Sequence, residues 1–519
     1  MSETRLDPVT LSVLASALAG IAEEMGAVLI RGSYSSNIKE RRDCSTALFD
    51  AEGNMVAQAE HIPVHLGAMP EAVAAVMERN PEPGDVFAIN DPYSGGTHLP
   101  DITLVSPIAY EGEILGYAVT RAHHSDVGGM RPGSMPSDSR EIFQEGVIIP
   151  PVKLVREGEY VDDVLDLLLA NVRTPNLRRG DLRAQIAANN IAEERVGELI
   201  ERRTKEVVLT AFEEVVSYAE RRAREAIREL PDGEHEAEDF MEGDGTTDED
   251  IPIKAKVTIR DDSMTIDFEG TADQVKGNIN CPLPVTRSAC YFALRVLLPK
   301  DIPANAGTYA PLEIKAPEGS LVNARYPAAV VAGNVETSNR IADTVLAAFS
   351  GFAPESVPAQ GQGTMNNTII GGSGGGAGGW TYYETIGGGQ GASSKAPGPS
   401  GVHVGMSNTL NTPTEAFELE YPMRVERYEL IYDSGGEGAQ RGGDGIERSV
   451  RVLEPASLSL LTDRRRHPPD GAEGGEPGKV GENLLNGEEL PPKAGRELEE
   501  GDVVTVRTPG GGGYGRRDT

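Results

Sequence analysis

Cysteine, histidine and positive charge are all scarce in this 519-residue chain. Its three cysteines, Cys44, Cys281 and Cys290, are too few and too scattered for a disulfide framework or a thiolate zinc site, and they fit a reducing cytosol. Lysine and arginine number 48 against 81 aspartates and glutamates, a formal charge of -33. A surface this acidic repels phosphate backbones and anionic lipid headgroups, so neither nucleic acid nor membrane is an expected partner. The opening MSETRLDP has no basic region followed by an apolar run, and no later stretch approaches the ~20 apolar residues that span a bilayer. A cytoplasmic protein without an export signal or anchor is therefore expected. Glycine runs are present, but no Gly-Lys-Ser/Thr and no strand–GxGxxG–helix context accompanies them, which favours tight turns and backbone packing over phosphate binding.

What is present describes a globular chain. Hydrophobic residues at 39% and charged residues at 25% exclude fibrous and disordered classes, and the length suggests two to four domains of roughly 100 to 200 residues. Asp7-Pro8 can cap a helix whose apolar positions Val9, Leu14, Leu18, Ile21, Met25 and Val28 recur until Gly32. Cys44 to Val56 reads as a hairpin, Pro70 to Met77 as a helix and Gly84 to Ile89 as a strand. Ile102 to Ile108 and Ile114 to Ala122 read as two strands about the turn Glu111-Gly112-Glu113. From Asp181 to Leu230 the pattern is of long amphipathic helices, uninterrupted from Ile186 to Ala226, a scaffold or subunit-contact element. Strands return at Ile253 to Ile259 and Met264 to Phe268, and a helix at Thr337 to Phe349. Beyond it, the glycine runs Gly371 to Gly379, Gly387 to Gly389 and Asp433 to Gly445 alternate with short strands.

The chemistry-bearing signal is histidine. Of eight in the chain, five (His61, His65, His98, His123 and His124) fall between positions 61 and 124. The loop from Asn90 to Asp101 presents His98 and Asp101 three residues apart, and Arg121-Ala122-His123-His124-Ser125-Asp126 closes the next strand. A hairpin return would bring His123 or His124 beside His98 and Asp101, while strand alternation sends the two histidines to opposite faces. One can join an ion; the other can orient a ligand or reach substrate. Imidazole with carboxylate suits Zn²⁺, Mn²⁺ or Fe²⁺ and the activation of water or a carbonyl. Cys44 is disfavoured as a nucleophile, since nothing points to a depressed pKa. The architecture expected is α+β and multidomain: a mixed N-terminal α/β metal-site region (1–180), a long helical segment (181–235), a mixed α/β region (236–360) and a β-rich, glycine-turn C-terminal region (361–519).

Several stretches carry a family resemblance. Asn37-Ile38-Lys39-Glu40-Arg41-Arg42-Asp43, His61 to Gly67, Asn90 to Asp101, Arg121 to Gly129, Asn171 to Pro175, Gly333 to Ser338 and the Asp433 to Gly445 glycine motif resemble the hydantoinase B/oxoprolinase family over nearly the whole chain. The resemblance implies a B-type subunit, as in N-methylhydantoinases, oxoprolinases, caprolactamase and acetone or acetophenone carboxylases, working beside a hydantoinase A-type subunit that binds ATP with Mg²⁺. It implies a divalent metal on His98, Asp101 and His123, with Asp43 as a fourth ligand, and His124 or Asp126 managing protons. The expected reaction is ATP-dependent opening of a cyclic amide (hydantoin, oxoproline or lactam) in a hetero-oligomer. The alternatives are ATP-dependent carboxylation of a ketone and, from another class, a non-catalytic scaffold holding a structural ion.

Overall fold

A computed structural model describes residues 6–372 and 379–517 of the chain. Helix α1 (Pro8–Gly32) starts where the sequence suggests: the Asp7 carboxylate accepts from the backbone N–H groups of Val9 (3.1 Å) and Thr10 (3.0 Å), and Pro8 occupies the first turn. By length and composition α1 could cross a membrane, contrary to the expectation that no stretch approaches that length. Here its apolar stripe (Leu11, Leu14, Leu18, Ile21, Met25, Leu29) is buried. At about 1.5–3 kcal/mol for each fully buried large side chain, that stripe is a major anchor of the helix.

The single turn α2 (Ser36–Lys39) leads to β1 (Cys44–Asp50) and β2 (Met55–Glu60), the expected hairpin. After α3 (Met69–Met77) follow β3 (Val86–Ile89), β4 (Asp101–Tyr110), β5 (Glu113–His123), β6 (Val152–Arg156) and β7 (Glu159–Tyr160). These strands form one antiparallel sheet in the order β2-β1-β5-β4-β3-β6-β7. The helices α4 (Asp162–Ala170), α5 (Pro175–Arg203) and α6 (Lys205–Arg228) come next. The helical run expected from Ile186 to Ala226 is not continuous. It breaks at Thr204 (φ 120°), whose hydroxyl caps α6 by accepting from Val207 N–H.

Alternation along β5 sorts its side chains between two cores. Ala118 and Ala122 pack with Leu48 on the face covered by α1 and α5, whereas Tyr117 and Val119 point with Ala47 and Phe49 into the opposite core. That second core continues into a four-stranded sheet, β11-β10-β9-β8, made of β8 (Gly233–Glu242), β9 (Asp250–Arg260), β10 (Ser263–Asp267) and β11 (Leu312–Lys315). Ile251, Ile253, Ala255, Val257 and Ile259 alternate inward along β9, beside the helices Leu283–Leu297 and Ser338–Phe349. A π-helical turn, Gly333–Thr337, runs directly into the second of these helices.

The C-terminal part holds two further sheets. One orders Trp380–Glu384, Asn367–Gly372, Ala456–Leu461 and Lys493–Leu498; the other orders Met423–Ile431, Gly445–Val452, Val503–Arg507, Glu482–Leu485 and Glu488–Leu490. The chain is thus α+β with several sheets, rich in strand towards its C-terminus. Glycine serves close backbone approach there: a Cβ on Gly510 would lie 2.0 Å from Ser434 O, and one on Gly512 2.0 Å from Asp470 O. Most of the run Gly371 to Gly379 lies outside the described residues.

Candidate metal centre

The β4–β5 register places Asp101 directly opposite His123, and Thr103 opposite Arg121. Arg121 locks this end of the hairpin: Nε donates to Thr103 Oγ1 (2.7 Å) and Nη2 to Gly95 O (3.0 Å). The loop before β4 is equally fixed. Asn90 donates to Leu99 O (2.7 Å) and accepts from Ile149 N–H (2.7 Å). Gly95 adopts φ 103°, and a Cβ there would lie 2.5 Å from the backbone nitrogen of Ala72, so only glycine fits. His98 is thereby carried to the start of β4 beside Asp101.

His98, Asp101 and His123 are all buried, and one potential ligand atom from each lies within 4.8 Å of the others. His98 Nε2, Asp101 Oδ1 and His123 Nε2 have no hydrogen-bond partner among the described residues, although His98 Nε2 and Asp101 Oδ1 are 3.3 Å apart. Buried polar atoms are nearly always paired, so unpaired atoms on three residues whose ligand atoms lie this close together call for a shared partner. Two imidazole nitrogens and one carboxylate oxygen are a fitting donor set for Zn²⁺, Mn²⁺ or Fe²⁺, and three protein ligands leave a position open.

The surroundings stabilise this arrangement. Asp101 Oδ2 accepts from Thr97 Oγ1 (2.5 Å) and lies 3.5 Å from His65 Nε2, while His65 Nδ1 meets Ser45 Oγ at 2.9 Å. Burial resists ionisation of Asp101, but His98 and His65 outweigh it and hold the carboxyl well below its ordinary value. Burial, followed by the neighbouring His98, pushes His123 well below the usual imidazole value, so its ring is neutral and able to donate an electron pair. The His123 ring stacks on Tyr383 (4.5 Å between centroids, 19° between planes), and the Arg41 guanidinium sits 4.6 Å from the Tyr383 ring centre.

Asp43 faces the same space without belonging to the close triad. It lines a cavity of about 20 Å³ together with His65, Asp101, His123, Tyr383 and Ser407, and its Oδ2 is 3.7 Å from Arg41 Nη2. Burial raises its carboxyl to about 6 against the opposing pull of Arg41. This cavity has room for about one water. A second cavity of about 600 Å³, lined among others by Asn339, Gln360, His403, Asn408 and Asp470, shares Ser407 with it and is of ligand-binding size.

His124 and Asp126 are not brought to the triad. The pleat turns His124 to the α5 face, where Nε2 meets Gln185 Oε1 at 2.9 Å, and burial followed by nearby Arg178 lowers its value to about 4. Asp126 is occupied by the following loop, accepting from the N–H groups of Gly128, Gly133 and Arg173 (each 3.0 Å) and from Arg173 Nη1 (2.9 Å). Cys44 is buried, which pushes its thiol up and away from nucleophilic use. Asn37, Arg41, His65, Thr97 and Tyr383 surround the triad without having stood out as site residues in the sequence. His65, through its place in the histidine cluster, and Asn37, Arg41 and Thr97, through the stretches that carry the family resemblance, had a signal that could have found them; Tyr383 had none.

The family described as Hydantoinase B/oxoprolinase matches residues 7–517. The chain is 35% identical over 538 residues to a Pseudomonas sp. (strain NS671) protein assigned as the B-type subunit of a D-/L-hydantoinase, covering 98% of this chain and 90% of that one. It is 39% identical over 549 residues to 5-oxoprolinase 1 of Arabidopsis thaliana; the alignment takes in 99% of this chain and 42% of the plant protein, so the chain spans about two fifths of that relative. The crystal structure of the ATP-dependent caprolactamase from Pseudomonas jessenii superposes with a TM-score of 0.92 at 31% identity, over 99% of this chain and 92% of that one.

Proposed function

We propose, for a chain that belongs to the Hydantoinase B/oxoprolinase family, that it is the metal-carrying subunit of an ATP-dependent cyclic amide hydrolase. The observation that carries the reading is the set of unpaired ligand atoms on the neighbouring residues His98, Asp101 and His123. Those residues would hold a divalent ion, with Asp43 adjacent. Such an ion supplies Lewis acidity, polarising a carbonyl and lowering the pKa of water. His65 and Thr97 hold the second oxygen of Asp101 so that the first stays directed at the ion position. Tyr383 and the Ile62 and Val64 side chains wall the small cavity and restrict water there to about one molecule. The ring substrate is placed in the adjoining larger cavity, across Ser407.

An unstrained lactam is resonance-stabilised and resists attack by water, which gives a physical reason for ATP. An A-type partner would phosphorylate the amide oxygen with ATP and Mg²⁺, and this chain would complete the opening of the activated ring. His124 and Asp126 are assigned supporting places, His124 between β5 and α5 and Asp126 in the loop that follows. The buried, unpaired cysteines fit work in a reducing cytoplasm.

The test is reconstitution with the A-type partner, ATP, Mg²⁺ and a hydantoin, 5-oxoproline or lactam, with bound metal measured in parallel. Ring-opened acid is expected from the wild type. His98→Ala should weaken metal binding by at least the about 10–100-fold typical of outer-shell changes, and lose turnover with it. Bicarbonate consumed with a ketone, and no ring opening, would favour the carboxylase instead. Metal retained by His98→Ala together with full activity would reject the site.

A further inference from the structure

Asn37 touches His123 at Nδ1, not at the unpaired Nε2. It sits on α2, a single turn held in place at both ends: Tyr34 and Ser35 N–H donate to Asp181 Oδ1 (2.8 and 3.0 Å), and Asp43 N–H donates to Asn37 O (3.0 Å). The Asn37 side chain is buried, and its Nδ2 lies 3.2 Å from His123 Nδ1. Its Oδ1 has no hydrogen-bond partner among the described residues.

This pairing acts through the ring. An N–H facing Nδ1 makes that nitrogen an acceptor, and a neutral imidazole must then carry its proton on Nε2. Nε2 is the ring nitrogen left without a partner, hence the one free to take an ion, and a protonated nitrogen cannot ligate an ion. Turning the amide about its last bond exchanges Oδ1 and Nδ2, after which the oxygen accepts from Nδ1–H and Nε2 offers a lone pair. Without an ion the two arrangements leave equally many buried groups unpaired. With an ion on Nε2 the turned amide leaves one fewer, so ion binding and amide orientation favour each other.

We propose that Asn37 is a positioning residue for metal binding, presenting its carbonyl oxygen to Nδ1–H of His123 and so fixing Nε2 as the electron-pair donor. The inference rests on the metal reading above and adds to it the group that sets the tautomer. It separates Asn37 from a residue that merely fills space, because only an acceptor at this position suffices.

The experiment is Zn²⁺ affinity, measured by competition with a chromophoric chelator, for wild type, Asn37→Asp and Asn37→Leu. Aspartate can accept but not donate; leucine does neither. Asn37→Asp is expected to bind Zn²⁺ at least as tightly as wild type, and Asn37→Leu about 10–100-fold more weakly. Equal loss in both variants, or none in Asn37→Leu, overturns the proposal. If the variants do not fold, ¹⁵N-histidine NMR of the Zn²⁺-loaded wild type decides: a proton on Nδ1 of His123 supports it, and a proton on Nε2 defeats it. Failure of the wild type itself to take up Zn²⁺ or another divalent ion would instead remove the metal reading, a distinct result seen without any substitution.

Discussion

Asp101 and Asp126 are both buried carboxylates near the same hairpin, yet their partners give them opposite uses. Asp101 keeps Oδ1 unpaired and aimed at two imidazoles, whereas Asp126 spends both oxygens on three backbone N–H groups and the Arg173 guanidinium. The first is left with an open acceptor and the second clasps a loop. Removing the clasp leaves buried donors without an acceptor, each costing about 1–3 kcal/mol. Asp126→Ala is therefore expected to lower unfolding stability by about 3 kcal/mol, read by denaturant titration, while the metal content of the folded protein is unchanged. An unchanged unfolding midpoint together with lost turnover would mean that Asp126 handles protons after all.

Among the elements, the π-helical turn Gly333–Thr337 is the least ordinary and sits beside the site, where Asn334 and Val335 wall the small cavity. Its Glu336 is buried. One oxygen accepts from Met365 N–H (2.9 Å) and Asn367 Nδ2 (2.8 Å), the other has no partner among the described residues, and burial followed by nearby Asp463 raises the carboxyl to about 8. Between the ordinary value of 4.5 and about 8, the unfolded chain releases this proton and the folded chain keeps it, so the contribution to stability falls as pH rises. Glu336→Gln keeps both accepted bonds and should flatten that fall, by at most about 5 kcal/mol at 1.36 kcal/mol per pKa unit, in unfolding measured from pH 5 to 8. An unaltered pH profile would show that Glu336 ionises normally. Local features such as the Asp7 cap, the hairpins and the opposite faces of His123 and His124 were legible because they depend on neighbours in sequence. The break at Thr204 was not, since neither glycine nor proline marks it and the helical pattern runs through. Tyr383 was not legible as a site residue because its role exists only once β5 and a C-terminal strand are side by side, and the same assembly is what gives Asn37 and His65 their particular partners.

For the whole molecule, the candidate centre is an assembly of distant parts. The N-terminal sheet and the segments around it supply Asp43, His65, His98, Asp101 and His123, and the C-terminal part closes over them with Tyr383, Thr385, Ser407 and Thr409. Arg41 ties the two together, donating to Tyr383 O (2.8 Å) and Thr385 Oγ1 (3.0 Å). A site so enclosed holds its side chains apart from bulk water. The central claim is the shared ion, and anomalous diffraction from crystals of the full chain grown with Mn²⁺ or Zn²⁺ tests it most directly. The account predicts one peak within bonding distance of His98 Nε2, Asp101 Oδ1 and His123 Nε2, with a coordination position left for solvent. Absence of a peak there in metal-saturated protein, or an ion closed off by four protein ligands, would contradict it.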